Sequence, residues 1–225
     1  MLSLKDVWPL FGLELRTPRL VLRAARDEDL PGLVDAALAG IHDPDVMPFG
    51  VAWTDAPREQ LILDTARHIW TVRARSTPDD WTLQFAVLLD GRPIGLQDLR
   101  GTQFRDSRTV SSGSWLTQAE QGKGLGIEMR AAVLTLALDH LGAEVAHTEA
   151  AEFNAPSNGV SRHLGYQPNG VGRHIARGRS TAELRHRMIP SDFRRPDWTL
   201  QVTGLDPVLA QLGLDQSQAR SGQPE

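Results

Sequence analysis

A glycine-rich turn with the sequence QGKGLG, Gln121 to Gly126, precedes a long run of residues patterned as a helix. In such a turn successive backbone N–H groups converge on one point, and the N-terminus of the following helix adds a favourable dipole, so the turn can bind a phosphate. Glycine suits these positions because a Cβ atom would stand where the phosphate approaches. Three alternating glycines exceed what a plain turn needs. We therefore interpret this segment as an anion-binding turn, with Lys123 adding positive charge at its rim.

Two common phosphate-binding motifs fit this turn poorly. The P-loop requires Gly-x-x-x-x-Gly-Lys-Ser/Thr, but Thr117 stands at the first glycine position and Gly124 at the hydroxyl position. The dinucleotide fingerprint Gly-x-Gly-x-x-Gly, started at Gly122, requires glycine or alanine where the chain has Ile127. What remains is Gln-x-x-Gly-x-Gly between a strand and a long helix.

This pattern resembles the acyl-CoA signature of the GNAT N-acetyltransferases, and other segments resemble the same family in the same order. They are TPRLVLRAARDEDL (17–30), AAVLTLALDHLGA (131–143), EVAHTEA (144–150) and NAPSNGVSRHLGY (154–166). The last is similar to that family's Asn-x-x-Ser/Ala helix ending in Gly-Phe/Tyr. Within the family the chain looks most like the ribosomal-protein N-terminal acetyltransferases (RimJ/RimL-like), and the resemblance covers residues 16–190.

The resemblance implies a fold and a binding mode. The fold is α/β (α+β), with a mixed, mostly antiparallel central sheet flanked by helices and a splayed central strand pair. The pantetheine arm of acetyl-CoA would lie between the splayed strands, with its diphosphate on the glycine turn, and no metal is expected. Carried over to this chain, the residues that bind coenzyme A are Leu116, Thr117, Gln121, Gly122, Lys123, Gly124, Leu125, Gly126, Asn154 and Ser157.

In this family an amine attacks the thioester directly, which requires a polarised carbonyl, a neutral amine and a proton for the leaving thiolate. Many members place a tyrosine seven residues after the helix-capping asparagine as the acid, but Ser161 stands there in this chain. The RimJ/RimL-like type instead has a serine three residues after the asparagine, which implies Ser157 as the proton donor or thiolate partner. The alternative for Asn154 and Ser157 is a structural role as caps of the same helix.

The base that accepts the amine proton stays open between three possibilities. Histidine is the side-chain type most often used as a base near neutral pH, so His42 is one candidate, with Asp43 to orient it. Asp98, on a predicted strand, is another, and a chain of water molecules often serves in the family. The long segment 41–53 is expected to choose the acceptor, or to fill a satellite core. The residues expected to contact the substrate are Met47, Phe49, Trp53, Asp98 and Ser114.

Two other functions fit the same residues. Transfer of a succinyl group from succinyl-CoA would need a cation or hydroxyl groups near the thioester. The candidates are Arg100, Arg105, Arg108, Ser112 and Ser114. A sensor that binds acyl-CoA without turnover is favoured by the missing tyrosine. The amine acceptor stays open between protein N-termini, lysine side chains, polyamines and antibiotics.

Hydrophobic patterning predicts the elements that must position these residues. The clearest is a hairpin with a period-2 stripe from Trp81 to Leu89 and an Asp90-Gly91 turn. Strands are predicted at 20–24, 81–89, 92–99, 109–116, 143–150, 172–176 and 181–188, and helices at 27–40, 58–75, 127–141 and 154–165. The helix after the glycine turn carries Met129, Val133, Leu136 and Ala137 on one face and Glu128, Arg130 and Asp139 on the other.

The composition is that of a globular protein: of 225 residues, 40% are apolar and 23% charged. The net charge of −4 provides no basic field for nucleic acid, and the absence of cysteine excludes disulfides and a cysteine nucleophile. Lys5 and Asp6 interrupt the apolar start, so we expect neither a signal peptide nor a membrane partner, and a cytoplasmic location.

The composition changes after Pro190. We expect a GNAT domain at 1–190 and a C-terminal extension at 191–225, with a strand, a short helix and a loose end at 216–225. The extension would pack on its own body or on a second subunit, and the habit of the family favours a homodimer.

Overall fold

The computed structural model describes residues 1–214. In this part of the chain nine strands form one sheet in the order β7-β8-β6-β5-β4-β3-β2-β1-β9. All neighbouring strands are antiparallel except β5 and β6, which are parallel. The strands are β1 (Glu14–Arg16), β2 (Leu20–Ala24), β3 (Asp80–Leu89), β4 (Arg92–Thr102), β5 (Thr109–Leu116), β6 (Val145–Ala151), β7 (Gln167–Ala176), β8 (Arg179–Met188) and β9 (Gln201–Thr203).

Helices cover both faces of this sheet. They are α1 (Leu4–Val7), α2 (Leu30–Leu38), α3 (Arg58–Arg75), α4 (Phe104–Ser107), α5 (Leu125–Thr135), α6 (Ala155–His163) and α7 (Leu205–Gln211). The helix α5 continues as a π-helical turn, Leu136–His140. None of these helices combines the length and the apolar character that a bilayer span needs.

Alternation along β4 assigns its side chains to two cores on opposite faces of the sheet. Leu99 packs in the large core beneath α5, whereas Leu96 packs with Leu33 of α2 and Ile69 of α3. Because strand side chains alternate between faces, this pattern places α2 and α3 opposite α5. The two faces therefore offer separate approaches to the middle of the sheet.

The long-range architecture predicted from the sequence is confirmed, including the mixed sheet and its flanking helices. The hairpin turns at Asp90 and Gly91, which have φ of 51° and 78°. The predicted helix 58–75 and strand 109–116 are confirmed at both ends. The predicted strand 20–24 is confirmed at both ends, but it is the second strand and not the first, because three residues, Glu14–Arg16, precede it and pair with it. A strand of that length is too short to show a period in sequence.

The predicted splayed pair is β5 and β6. Thr109–Ser111 pairs with Val145–His147, after which the two strands separate, although β5 continues to Leu116 and β6 to Ala151. The other edge of β5 stays paired with β4 as far as Leu116. The second half of β5 therefore presents one free edge, at the end of the sheet where α5 and α6 begin.

The chain beyond Pro190 extends the same sheet and packs on its own body. The strand β9 pairs with β1, and Val208 and Leu209 of α7 are buried in the large core. At the start of α7, Gly204 has φ of 72° and its Cβ position is filled by the Gly12 carbonyl group, so this junction requires glycine. The loose end predicted at 216–225 lies outside the described residues.

Candidate active site

The glycine turn leads directly into α5. Gly122 and Gly124 have φ of 73° and 79°, a left-handed conformation that favours glycine. Leu125 is the first residue of α5 and is buried, while Gly126 faces Val160 of α6, which would stand 3.7 Å from a Cβ there. The N–H groups of residues 122–126 donate to no backbone carbonyl of residues 1–214, and they lie at the N-terminus of a helix, as an anion site requires.

Arg19 and Glu128 fasten this turn to β2. The Glu128 carboxylate is buried and accepts hydrogen bonds from the Thr17 hydroxyl (2.6 Å), the Arg19 N–H (3.0 Å) and the Arg19 Nε (2.6 Å). The same guanidinium donates through Nη1 to the Lys123 carbonyl oxygen at 2.9 Å. One arginine thus joins the buried carboxylate of α5 to the middle of the turn. The sequence interpretation missed both residues, although Arg19 lies in the segment TPRL.

Replacing Glu128 by glutamine is expected to destabilise the protein and to weaken binding of an anion at the turn. In glutamine an NH2 group replaces one of the two carboxylate oxygens, so at least one hydrogen bond from Thr17 or Arg19 loses its acceptor. The expected cost in the free energy of unfolding is about 1–3 kcal/mol. Urea unfolding measures the first effect and calorimetric titration with coenzyme A the second. Asp139→Asn removes another carboxylate–arginine pair, with Arg195, beyond the C-terminal end of α5. That control should leave coenzyme A binding unchanged, and equal weakening by both variants would contradict the fastening role.

The side chains of the other turn residues are engaged in structural contacts. Lys123 Nζ binds Glu120 at 2.9 Å, and Arg92 binds the other oxygen of that carboxylate at 2.9 Å, so both cations lower the pKa of Glu120. Gln121 Nε2 donates to the carbonyl oxygens of Leu116 (2.8 Å) and Ile41 (2.6 Å). These bonds hold the end of β5 against the loop that follows α2.

Two clefts approach β5 from opposite faces of the sheet. The first, here the α5 cleft, has a volume of about 210 Å³ and is lined by Ser114, Leu116, Gln121, Gly126, Arg130, Asn154 and Ser157 among others. Phe49 and Pro48 of the loop after α2 close its far side. It therefore runs from the glycine turn to the splayed edge of β5.

Asn154 and Ser157 stand at the start of α6, on the wall of this cleft. The Asn154 side chain accepts a hydrogen bond from the Ser157 N–H at 3.2 Å, which is the predicted helix cap. Leu116 is buried, with its carbonyl oxygen held by Gln121. Thr117 does not offer a free N–H, because it donates to the Ile94 carbonyl oxygen at 2.8 Å.

Arg130 reaches the same cleft from α5. Its side chain is 5% exposed, and its guanidinium donates to the hydroxyls of Ser161 (3.0 Å) and Ser114 (3.4 Å). Ser161 thus lies buried beneath the cleft with its hydroxyl bonded to an arginine. Burial lowers the pKa of Arg130. The sequence pattern predicts Arg130 on the polar face of α5. Its burial could not be predicted, because residues on both faces of this helix are buried, Glu128 and Arg130 included.

The second cleft, here the α3 cleft, is larger, at about 670 Å³. It opens on the other face of the sheet and is lined by His68, Asp98, Ser111, Gly113, His147 and Glu149 among others. Both clefts touch β5: the α3 cleft reaches Gly113 and the α5 cleft reaches Ser114. The two clefts therefore approach adjacent residues of β5 from opposite faces, at a place, here called the meeting point, where β5 has already separated from β6.

Asp98 lies on β4, directly opposite Gly113 of β5. It pairs with Gly113 on one side and with Gln84 on the other. Its Oδ1 is enclosed and has no hydrogen-bond partner among residues 1–214. Burial raises the pKa of Asp98 to about 7, and the Gln84 amide opposes that rise. A carboxyl group beside the meeting point thus titrates near neutral pH.

Gly113 leaves open space in the α3 cleft. A Cβ atom built on it would meet no atom of residues 1–214 within 4 Å. Because directly paired residues of neighbouring strands point to the same face, that Cβ would project beside the Asp98 carboxyl group. The absence of a side chain keeps the approach to the splayed edge clear.

The structure does not bring the Asp43 carboxylate to the His42 ring. His42 Nδ1 contacts the Asp43 carbonyl oxygen (2.8 Å), Nε2 contacts the Thr54 hydroxyl (2.7 Å), and the carboxylate instead accepts the Asp45 N–H. Neither residue is among those lining the two clefts. The ring packs edge-on against Phe49 at 5.7 Å. This loop therefore does not present a histidine oriented by a carboxylate to either cleft.

The loop after α2, residues 41–53, forms a small second core and also contributes to the wall of the α5 cleft. Phe49 contacts Trp53 (5.6 Å between ring centroids), and Trp53 contacts Trp115 of β5 (5.8 Å). Met47 is buried and its sulfur accepts from Thr54 at 3.9 Å. Among the three apolar residues assigned to the substrate, only Phe49 lines the α5 cleft. No group of histidine, aspartate and glutamate side chains in residues 1–214 is arranged to hold a metal ion.

Comparison with known proteins agrees with this geometry. A family model described as acetyltransferase (GNAT) domain matches residues 19–167. Among solved structures, Mycobacterium smegmatis RimJ in complex with CoA-disulfide aligns with a TM-score of 0.70 and 18% identity, over 90% of this chain and 95% of that one.

Two further structures share the fold. RimL, a ribosomal L7/L12 alpha-N-protein acetyltransferase in complex with coenzyme A, aligns with a TM-score of 0.59 and 16% identity, over 77% of this chain and 95% of that one. A GCN5-related N-acetyltransferase from Brucella melitensis aligns with a TM-score of 0.61 and 17% identity, over 80% of this chain and 79% of that one. With the family model spanning most of the chain, this protein belongs to the GNAT family of N-acetyltransferases.

Proposed function

We propose that this protein transfers an acetyl group from acetyl-CoA to a primary amine, and that the amine is the N-terminal α-amine of a protein. The observation that carries the proposal is that two clefts border the adjacent residues Gly113 and Ser114, one leading to the glycine turn and the other open on the opposite face. Two substrates that enter from opposite faces can react there without displacing each other.

The donor would occupy the α5 cleft. The N–H groups from Gly122 to Gly126 would bind the diphosphate, and the pantetheine arm would follow the free edge of β5, taking main-chain hydrogen bonds as an added strand does. The thioester carbonyl would face the amides near Leu116. Both RimJ and RimL, which share this fold, were solved with coenzyme A bound.

The acceptor would enter the α3 cleft, where Asp98 lines the wall and would take its proton. A base with a pKa of about 7 removes a proton from an α-ammonium group (pKa about 7.7–8.0) far more readily than from a lysine side chain (about 10.4). This match, and the N-terminal acceptor of RimL, support an α-amine over a lysine.

Protons and bonds balance in this reaction. Ionised Asp98 takes one proton from the ammonium group and passes it to solvent, and the neutral nitrogen attacks the thioester carbonyl carbon. The C–N bond forms, the C–S bond breaks, and the second nitrogen proton reaches the leaving thiolate. Ser157, on the wall of the α5 cleft, is the hydroxyl proposed to relay that proton.

The test is thiol release from acetyl-CoA with peptides that carry a free or a blocked N-terminus, and with free lysine and polyamines. The expected result is turnover only with free α-amines, slowed at least about tenfold by Ser157→Ala. Binding of acetyl-CoA without turnover of any amine would indicate a sensor instead. Full activity of the Ser157→Ala variant would remove that residue from the mechanism and leave the transfer itself in place.

A further inference from the structure

Arg130 is a buried cation that has no counterion among residues 1–214. It takes part in none of the ion pairs formed by residues 1–214. Its only hydrogen-bond partners there are the hydroxyls of Ser161 and Ser114, and its Nε has none. Burying a charge with so little compensation is strongly unfavourable. Such a group is expected where a ligand brings the missing anion.

Two titratable side chains, Tyr166 and His186, interact electrostatically with Arg130. Burial raises the pKa of the Tyr166 hydroxyl, which keeps it protonated at neutral pH. Burial lowers the pKa of His186, and the positive charges of Arg162 and Arg130 lower it further. Neither side chain therefore supplies a negative charge to the guanidinium, which leaves it able to receive a carboxylate from outside.

The position of Arg130 indicates which part of a ligand it would meet. It lines the α5 cleft together with Leu116 and Ser157, and it does not line the α3 cleft. The hydroxyl it contacts belongs to Ser114, two residues or roughly 7 Å along β5 from Leu116. Arg130 thus lies beside the thioester end of the donor site.

We propose that Arg130 binds a carboxylate at the end of the acyl chain. The protein would then accept succinyl-CoA in addition to acetyl-CoA, and it would prefer succinyl-CoA to a donor whose acyl chain has the same length and no charge. This inference rests on the proposed function, because it names a second donor class for the same site. A succinyl group carries its carboxylate roughly 4 Å from its carbonyl carbon, given about 1.5 Å for each C–C bond. A guanidinium can bind such a carboxylate with two parallel hydrogen bonds. The transfer step is unchanged, and the product is an N-succinyl amide.

The probe pair is succinyl-CoA and butyryl-CoA, which have acyl chains of the same length and differ in the charge at the end. A hydrogen-bonded charge is worth enough to predict a kcat/KM about 10- to 100-fold higher for succinyl-CoA than for butyryl-CoA with the same amine. Calorimetric titration should give a tighter Kd for succinyl-CoA by a similar factor. That readout does not depend on turnover.

Arg130→Met tests the assignment, because methionine is a long side chain without a charge. Since an uncompensated buried charge is itself unfavourable, its removal should not destabilise the fold. It should reduce the succinyl-to-butyryl ratio to about one, and Arg130→Lys should give an intermediate ratio since it keeps the charge and loses the fork. Arg162→Met is the matched control, an exposed arginine on α6 outside both clefts, and it should leave the ratio unchanged. Thermal unfolding of each variant verifies the fold.

The outcomes separate this inference from the function on which it rests. If no acyl-CoA thioester binds, the proposed function itself fails. If acetyl-CoA is used but succinyl-CoA and butyryl-CoA are equivalent, the transfer stands and the carboxylate site is wrong. If Arg130→Met slows every donor by the same factor, Arg130 acts on the thiolate or the fold, and the inference is overturned.

Discussion

The Asp98→Asn variant should lose about 10²- to 10⁴-fold in kcat for an α-amine acceptor, the usual range for a general base. Asparagine keeps the size of the side chain and cannot accept the proton. The loss should appear in kcat more than in the KM of acetyl-CoA, because Asp98 lines the α3 cleft and not the α5 cleft. Steady-state kinetics with a peptide acceptor measures both.

The pH profile gives a second, sharper readout. The base works only when ionised, so kcat/KM of the wild-type protein should rise with pH through about 7, the pKa to which burial raises Asp98. In the variant the rising limb should move to the pKa of the amine, about 7.7–8.0. Glu149 offers a control, since this glutamate lines the same cleft and pairs with Arg185 at 3.7 Å. Glu149→Gln should keep the limb near 7, and a wild-type profile without that limb would refute Asp98 as the base.

The same substitution is expected to stabilise the protein at alkaline pH. The pKa of Asp98 is higher in the folded state than in an unfolded chain, so the folded state binds its proton more tightly. Folding stability contributed by this group is therefore highest below about pH 4 and falls as the pH rises to about 7, then stays constant. The asparagine side chain of the variant carries no charge, so its advantage in Tm should be present at pH 8 and vanish near pH 4. An active site that gives up stability for a titratable base is a common arrangement.

Local signals explain what the sequence could predict. The hairpin around Asp90 and Gly91 follows from a period of two and a turn dipeptide, and the glycine turn follows from its spacing and the helix behind it. Asn154 and Ser157 became candidates because both belong to one short helix whose Asn-x-x-Ser start resembles that of the family. In each case the residues that define the feature lie close together in the chain.

The residues that sequence reasoning missed depend on contacts between distant segments. Arg19 and Glu128 are joined across 109 residues, and Arg130 and Ser161 across 31. A charged residue on a helix normally faces solvent, so Glu128 and Arg130 look like surface positions until α5 is seen enclosed by the sheet and α6. Asp98 was a candidate without a rank, because its pKa depends on how deeply β4 is covered. The His42–Asp43 pair failed for the opposite reason: adjacent residues in a loop need not turn their side chains together.

Gly113→Val should greatly slow transfer to α-amines while leaving the fold intact. The Cβ meets no protein atom within 4 Å, and valine favours a strand more than glycine does, so thermal stability should not fall. The branched side chain would fill the space beside Asp98 through which the amine must pass. Because a misplacement of about 1 Å can cost 10²-fold in rate, we expect kcat/KM for the amine to fall by at least about 10²-fold.

The control for this variant lies on the same strand. Ser111→Val puts the same side chain on the same face two residues before Gly113, where β5 still pairs with β6. Ser111 lines the same cleft but lies further from the splayed edge. Because the rate depends steeply on distance, its substitution should lower kcat/KM for the amine by a factor at least about ten times smaller. Titration with acetyl-CoA should give the wild-type Kd for both variants, since neither position lines the α5 cleft. Equal activity of Gly113→Val and wild type would mean that the amine does not enter by the α3 cleft. Its proton could then not reach Asp98, so this one substitution tests the direction from which the acceptor approaches and, through it, the assignment of the base.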